Sequence, residues 1–309
     1  MNASFDHLLP SAIEALELPQ ELRIRDILER RFISHERIND IFKYADYLMF
    51  RPMRSRAAGI GIIGEPGAGK TDLLEQLRAR YPGESAGRGL IATRPTLLFS
   101  MCGVRDARVL YVRMLAALGH PEGGRFTGRE REQLVLSVAR SCRLRMLLID
   151  EIQDVLKGTR LQQTATLETL RFLMNELRIV LVVAGSEEAE LAIGMDAHLS
   201  SRLKLKRLPR WEVDDYFAHF LDAMESSLPL RERSRLCAEG TMRLIVQMTM
   251  GQTDAIVTLV ANAAAIAVES GSERITHHLL ERANSELPVI RPQEHSVTES
   301  DHDQEAVRF

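Results

Sequence analysis

The residues best placed to do chemistry lie between Gly59 and Leu77, in the run GIGIIGEPGAGKTDLLEQL. A short apolar segment, Ile60–Ile63, ends at Gly64, and Glu65, Pro66, Gly67 and Ala68 lead on to Gly69, Lys70 and Thr71. Asp72 then opens a helical pattern with Leu73, Leu74 and Leu77 on one face. This is G-x-x-x-x-G-K-[ST] set between a strand and a helix, the context in which the pattern holds phosphate. Gly64, Gly67 and Gly69 let the backbone bend until successive N–H groups point inward at phosphate oxygens. The N-terminus of the following helix adds its partial positive charge at the same place. Lys70 is expected to reach the β- and γ-phosphates, and the Thr71 hydroxyl to ligate Mg²⁺, so the implied cofactors are ATP and Mg²⁺. The run also matches G-x-G-x-x-G at Gly59, Gly61 and Gly64. The first two of these glycines fall inside the strand instead of the turn, which does not suit a dinucleotide.

A second chemical stretch is MLLIDE, Met146 to Glu151. An apolar strand delivers two adjacent carboxylates at its C-terminal end, the edge at which parallel α/β sheets bind ligands. Asp150 suits a Mg²⁺ ion and its water shell, and Glu151 suits activation of an attacking water. Such a pair alone is a common helix start; its position downstream of the phosphate loop, with one strand between them, gives it meaning. A third strand run, Ile179–Ala184, ends at Gly185 and Ser186. Ser186 is a candidate sensor of the γ-phosphate, and equally a candidate N-cap for the helix starting at Glu187.

The elements that must position these residues follow from periodicity. Residues 1–55 read as a helical extension, with Arg23–Phe32 and His35–Phe50 apolar at three- and four-residue intervals. Residues 56–210 alternate strands and helices, with strands also expected at Thr96–Cys102 and from Leu203, and with Asp106 capping a helix. Residues 211–288 read as all helical, including a helix over Glu232–Glu239. Residues 289–309 are polar and acidic and are expected to be disordered.

Composition bounds the rest. The chain has 309 residues, 45% of them hydrophobic, and a formal charge of −3, so any nucleic-acid contact must come from a local basic surface. Cys102, Cys142 and Cys237 lie far apart without ligand spacing, which suggests free buried thiols in a reducing compartment. The N-terminus lacks the pattern of a signal peptide, and the apolar run from Ala255 to Val268 reads as a buried helix too short to span a bilayer. The expectation is a soluble, cytoplasmic protein without membrane partners.

With these motifs in hand, the sequence resembles an AAA+ ATPase, and within that superfamily the TniB-type transposition accessory ATPases, relatives of the TnsC group. The resemblance is carried by GEPGAGKT (Gly64–Thr71), MLLIDEIQDVLKGT (Met146–Thr159), LRFLMNELRIVLVVAGSEEA (Leu170–Ala189), LSSRLKLKRLPRW (Leu199–Trp211) and SLPLRERS (Ser227–Ser234). It implies an α/β fold: a P-loop core with a parallel five-stranded sheet flanked by helices, a C-terminal helical lid and the N-terminal helical extension. It also implies that Arg202 is an arginine finger entering the neighbouring subunit's site. The implied task is to assemble with ATP on double-stranded DNA as a ring or filament, and to recruit a DDE transposase, with a target-selection protein as a further partner. One position departs from the superfamily. Where a lid arginine is common, this chain has Gly251-Gln252-Thr253-Asp254, which suggests slow hydrolysis. Arg105, Arg108, Lys157 and Arg160 follow strands at the ligand edge and are candidates for sequence-independent contact with a DNA backbone, or an ordinary solvated face. Two other tasks stay open on the same core: a replication-initiator or helicase-loader-like ATPase, and a nucleotide-gated interaction module that never touches DNA.

Overall fold

The computed structural model describes residues 5–29, 32–51, 57–85, 92–120 and 126–288. The acidic tail expected at 289–309 lies outside these residues. Three helices come first, α1 Pro10–Ala15, α2 Gln20–Leu28 and α3 Glu36–Phe50. Strand β1 (Gly59–Gly64) and helix α4 (Lys70–Arg80) follow, then β2 (Thr96–Ser100), α5 (Ala107–Ala117) and α6 (Gly128–Ser141). Next come β3 (Met146–Asp150), a 3-10 turn over Ile152–Lys157, α7 (Arg160–Glu176) and β4 (Val180–Gly185). Short helices α8 (Glu188–Gly194) and α9 (Ala197–Ser200) precede β5 (Leu203–Leu208). The remainder is helical: α10 Asp215–Ser227, α11 Glu239–Thr249, α12 Thr253–Ser270 and α13 His277–Ser285.

All five strands run parallel in the order β2-β3-β4-β1-β5. A parallel sheet must be covered on both faces, which is why β1 and β4 are buried along their whole length. Side chains alternate between the two faces. Leu147, Ile149, Leu181 and Val183 pack with Leu110, Met114 and Leu115 of α5, Val135 of α6 and Leu170 and Leu173 of α7. Met146, Leu148, Val180 and Val182 pack on the other face with Leu73, Leu74 and Leu77 of α4 and Ile41 and Leu48 of α3. Each such buried side chain is worth about 1.5–3 kcal/mol of transfer free energy. The sheet thereby fixes the ends of β1, β3 and β4 side by side, which is what the chemistry needs.

Chain order and compactness divide the molecule differently. One compact unit comprises residues 31–223 and 236–258; the other comprises residues 1–30, 224–235 and 259–309. In the second unit, the buried Arg23 pairs with Glu273, and Leu9 N–H donates to Ser226 O at 2.8 Å. The helix expected over Glu232–Glu239 is absent there. The Glu225 carboxylate accepts from the N–H groups of Ser234 and Arg235 (2.8 and 3.1 Å), and Glu232 N–H donates to Glu273 O (3.0 Å). With those donors satisfied elsewhere, and Arg235 at φ +58°, local helical periodicity is overridden.

Two further expectations change. Cys102 and Cys237 are exposed, not buried, although all three thiols are free. Helix α12 is longer than the apolar run read from the sequence. Its 18 residues, with mean hydropathy 1.3, have the length and composition of a membrane span, and half of that window is buried within the protein.

In the first unit His35 packs against Trp211, Tyr216 and Phe220, with Nδ1 hydrogen-bonded to the Tyr216 hydroxyl. Burial, helped by the positive charge of Arg37, pushes its pKa down to about 4. The folded protein therefore holds His35 neutral while the unfolded chain protonates it near pH 6.5. Stability is complete above pH 6.5 and is lost as pH falls toward 4, by about 2 kcal/mol after allowance for the ring's partial exposure. The unfolding midpoint of the parent should drop below that of His35→Gln progressively between pH 6.5 and 4.5, once both are normalised at pH 7.5. Parallel curves would contradict this.

Candidate nucleotide site

Strand β1 ends at Gly64 and α4 begins at Lys70, so residues 65–69 form the loop between them. Gly67 and Gly69 hold φ values of +74° and +82°, left-handed conformations that side chains resist. This bend turns the loop around the first turn of α4, where Asp72 sits. Lys70 is buried, and its Nζ donates to the Gly64 and Glu65 carbonyls at 2.8 Å each. Burial lowers its pKa, opposed by the carboxylates of Glu151 and Asp150, so the ammonium lies within their field.

Thr71 and Asp150 meet. The Thr71 hydroxyl donates to Asp150 Oδ2 at 2.6 Å, while Asp150 Oδ1 accepts from the Glu151 N–H at 2.9 Å. Two oxygen donors thus converge at the foot of the loop. Among the described residues there is no group of three or more His, Cys, Asp or Glu side chains that could hold a metal. Mg²⁺ needs no such group, since it ordinarily takes one or two protein ligands and completes its shell with water and phosphate. The donor set fits Mg²⁺.

Glu151 leaves β3 in a left-handed conformation (φ +55°), and its carboxylate accepts from Gln153 Nε2. Gln153 Oε1 in turn accepts from the Ser186 N–H at 3.2 Å. Ser186 therefore lies beside the Asp-Glu pair. It is not the cap of α8, which begins at Glu188 after Glu187 and has no side-chain cap.

The loop is also tied from outside. Arg210 Nε and Nη2 donate to Glu65 Oε2 at 2.8 and 2.5 Å, and its Nη1 donates to Met250 O at 3.2 Å. Gln252 Nε2 donates to Pro66 O at 2.6 Å, and Asp254 N–H to Gly67 O at 2.9 Å. The Gly251–Asp254 segment thus meets the loop through a neutral amide and a backbone N–H, with no cation. Gln153, Arg210 and Gln252 escaped the sequence reading, because they reach the loop, the acidic pair or Ser186 through side chains that follow no periodic signal.

Arg202 stands elsewhere. Its carbonyl accepts from Gly59 N–H at 3.0 Å, at the start of β1. Five residue steps of strand separate that point from Gly64, about 17 Å at ~3.3 Å per residue. Its Nη1 donates to Asn175 Oδ1, and its buried Nε has no partner. This guanidinium does not belong to its own chain's loop.

The four basic candidates lie along two touching connections: Arg105 just before α5 and Arg108 in its first turn, and Lys157 at the end of the 3-10 turn with Arg160 opening α7. A Cβ on Gly158 would lie 2.8 Å from Arg105 O, so the segment after β2 runs against the segment after β3. Arg105, Arg108 and Arg160 are exposed. Lys157 is exposed too, but donates at 2.7 Å to the buried Asp154 carboxylate, a hydrogen bond that raises its pKa.

A family model for bacterial TniB proteins matches residues 23–213 of this chain. No curated protein matches it at a significant level. Among solved structures, it is similar to the ORC2 protein of Aeropyrum pernix in its ADPNP–ADP complexes, with 17% identity and TM-score 0.60 over 86% of this chain and 72% of that one. It is similar to the Aeropyrum pernix ORC1 protein in complex with DNA, with 15% identity and TM-score 0.59 over 84% and 68%. Drosophila ORC bound to DNA aligns at 15% identity and TM-score 0.54 over 89% and 66%. At these identities the likeness speaks for the fold, which is that of the AAA+ ATPases. With the match spanning well over half its length, the chain belongs to the bacterial TniB family.

Proposed function

We propose that this protein is a cytoplasmic, ATP-dependent, DNA-binding regulator of DNA transposition. It assembles on double-stranded DNA, hydrolyses ATP slowly with Mg²⁺, and recruits or activates a DDE transposase, with a target-selection protein as a further partner. The observation that carries this reading is the meeting of Thr71, Asp150 and Glu151 beneath the Gly64–Lys70 loop in a TniB-family chain. Mg-ATP, held by the loop and by Thr71 and Asp150, would supply the phosphoryl group, and its Mg²⁺ would offset charge on the phosphate oxygens. The chain's own residues do the rest. Loop N–H groups bind phosphate, and Lys70 exchanges the Gly64 and Glu65 carbonyls for phosphate oxygens. Glu151 orients the attacking water and takes its proton. Arg202, remote from its own loop, serves the site of the next subunit. Asp254, where a cation is common, supports a slow reaction. Arg105, Arg108 and Arg160, with Lys157 once released from Asp154, follow the phosphate backbone without reading bases.

Sedimentation of the full chain with a non-hydrolysable ATP analogue, with and without a random-sequence DNA duplex, tests this. Large assemblies that need both ligands are expected, and DNA affinity should fall steeply with salt for all sequences alike. A monomer or dimer indifferent to DNA would contradict the reading and favour a nucleotide-gated interaction module.

A further inference from the structure

Gln153 stands between Glu151 and Ser186 and bonds both. Its side-chain amide is oriented without ambiguity. Oε1 faces the Ser186 N–H, which can only donate, so the NH₂ must face the Glu151 carboxylate, which when ionised can only accept. The residue is carried by the 3-10 turn over Ile152–Lys157, which Ile152, Asp154 and Val155 anchor in the interior. The end of β4 is shaped to admit the amide. A Cβ on Gly185 would lie 2.1 Å from Gln153 Oε1. Glu151, by contrast, has left the sheet in a left-handed conformation, and its long side chain is free to take several rotamers unless a partner selects one.

We propose that Gln153 is a positioning residue that aims the Glu151 carboxylate by tethering it to the Ser186 end of β4. The tether selects one rotamer of the base and holds its carboxylate toward the Ser186 end of β4. A shift of the β4 end on nucleotide binding is then passed to the base through one amide. This inference rests on the hydrolysis reading above.

The test uses the full chain, measuring phosphate release and the affinity of a fluorescent ATP analogue in parallel. Gln153→Ala should lower kcat by about 10- to 100-fold, with KM and analogue affinity within about threefold of the parent. Combined with Glu151→Gln it should bring little further loss, because both changes disable the same group. Gln153→Glu keeps the side-chain length but replaces the N–H donor with a like charge, so it should lose at least as much kcat as Gln153→Ala while analogue affinity stays within about threefold of the parent. A merely structural role would weaken analogue binding together with kcat. Parental kcat in Gln153→Ala overturns the inference. A parent that binds the analogue but releases no phosphate overturns the hydrolysis reading first, and the positioning role with it.

Discussion

Glu151→Gln should bind ATP as the parent does and turn it over on the order of 10²- to 10³-fold more slowly, the usual contribution of a positioned general base. The substitution is nearly isosteric. It leaves the Thr71–Asp150 hydrogen bond, the Lys70 contacts and the loop glycines as they are, so the binding elements persist. It removes only the group able to accept a proton. If assembly on DNA needs bound ATP, this variant should also persist as large particles for longer than the parent. Phosphate release and analogue affinity measured together check the claim. Turnover within a few-fold of the parent would mean that another group takes the proton.

Arg202→Ala should cost on the order of 10³-fold or more in the turnover of assembled protein, as loss of an arginine finger does elsewhere. The side chain sits at the start edge of β1, held by Asn175, with a buried Nε that finds no partner within its own chain. Mixing distinguishes a finger from a structural arginine. Arg202→Ala keeps an intact site, and Glu151→Gln keeps an intact finger. Mixed one to one, they should recover about a quarter of the parental rate, since a head-to-tail interface pairs them productively in one arrangement of four. No recovery, with mixed assemblies present, would assign Arg202 to the fold of its own subunit.

The contrast between these residues and the ones that escaped the sequence reading has a physical basis. Phosphate loops and doubly covered parallel strands impose local patterns, glycines at fixed offsets and unbroken apolar runs, and these place Lys70, Thr71, Asp150 and Ser186 without coordinates. The amide of Gln153 meets Ser186 33 residues away, Arg210 meets Glu65 across 145, and Gln252 meets Pro66 across 186. Contacts of that kind leave no periodic trace. The same limit accounts for the missing helix over Glu232–Glu239, whose neighbourhood is shaped by Glu225 and Glu273. Helix α1, only the six residues Pro10–Ala15, is too short for a periodic signal.

The measurement closest to the central claim is steady-state phosphate release by the parent protein with Mg-ATP, with and without random-sequence duplex DNA. A slow rate, well below one per second, that rises several-fold with DNA of any sequence is the result expected of an assembling transposition ATPase whose site is completed by its neighbour. A rate of many per second, or one unmoved by DNA, would contradict that account.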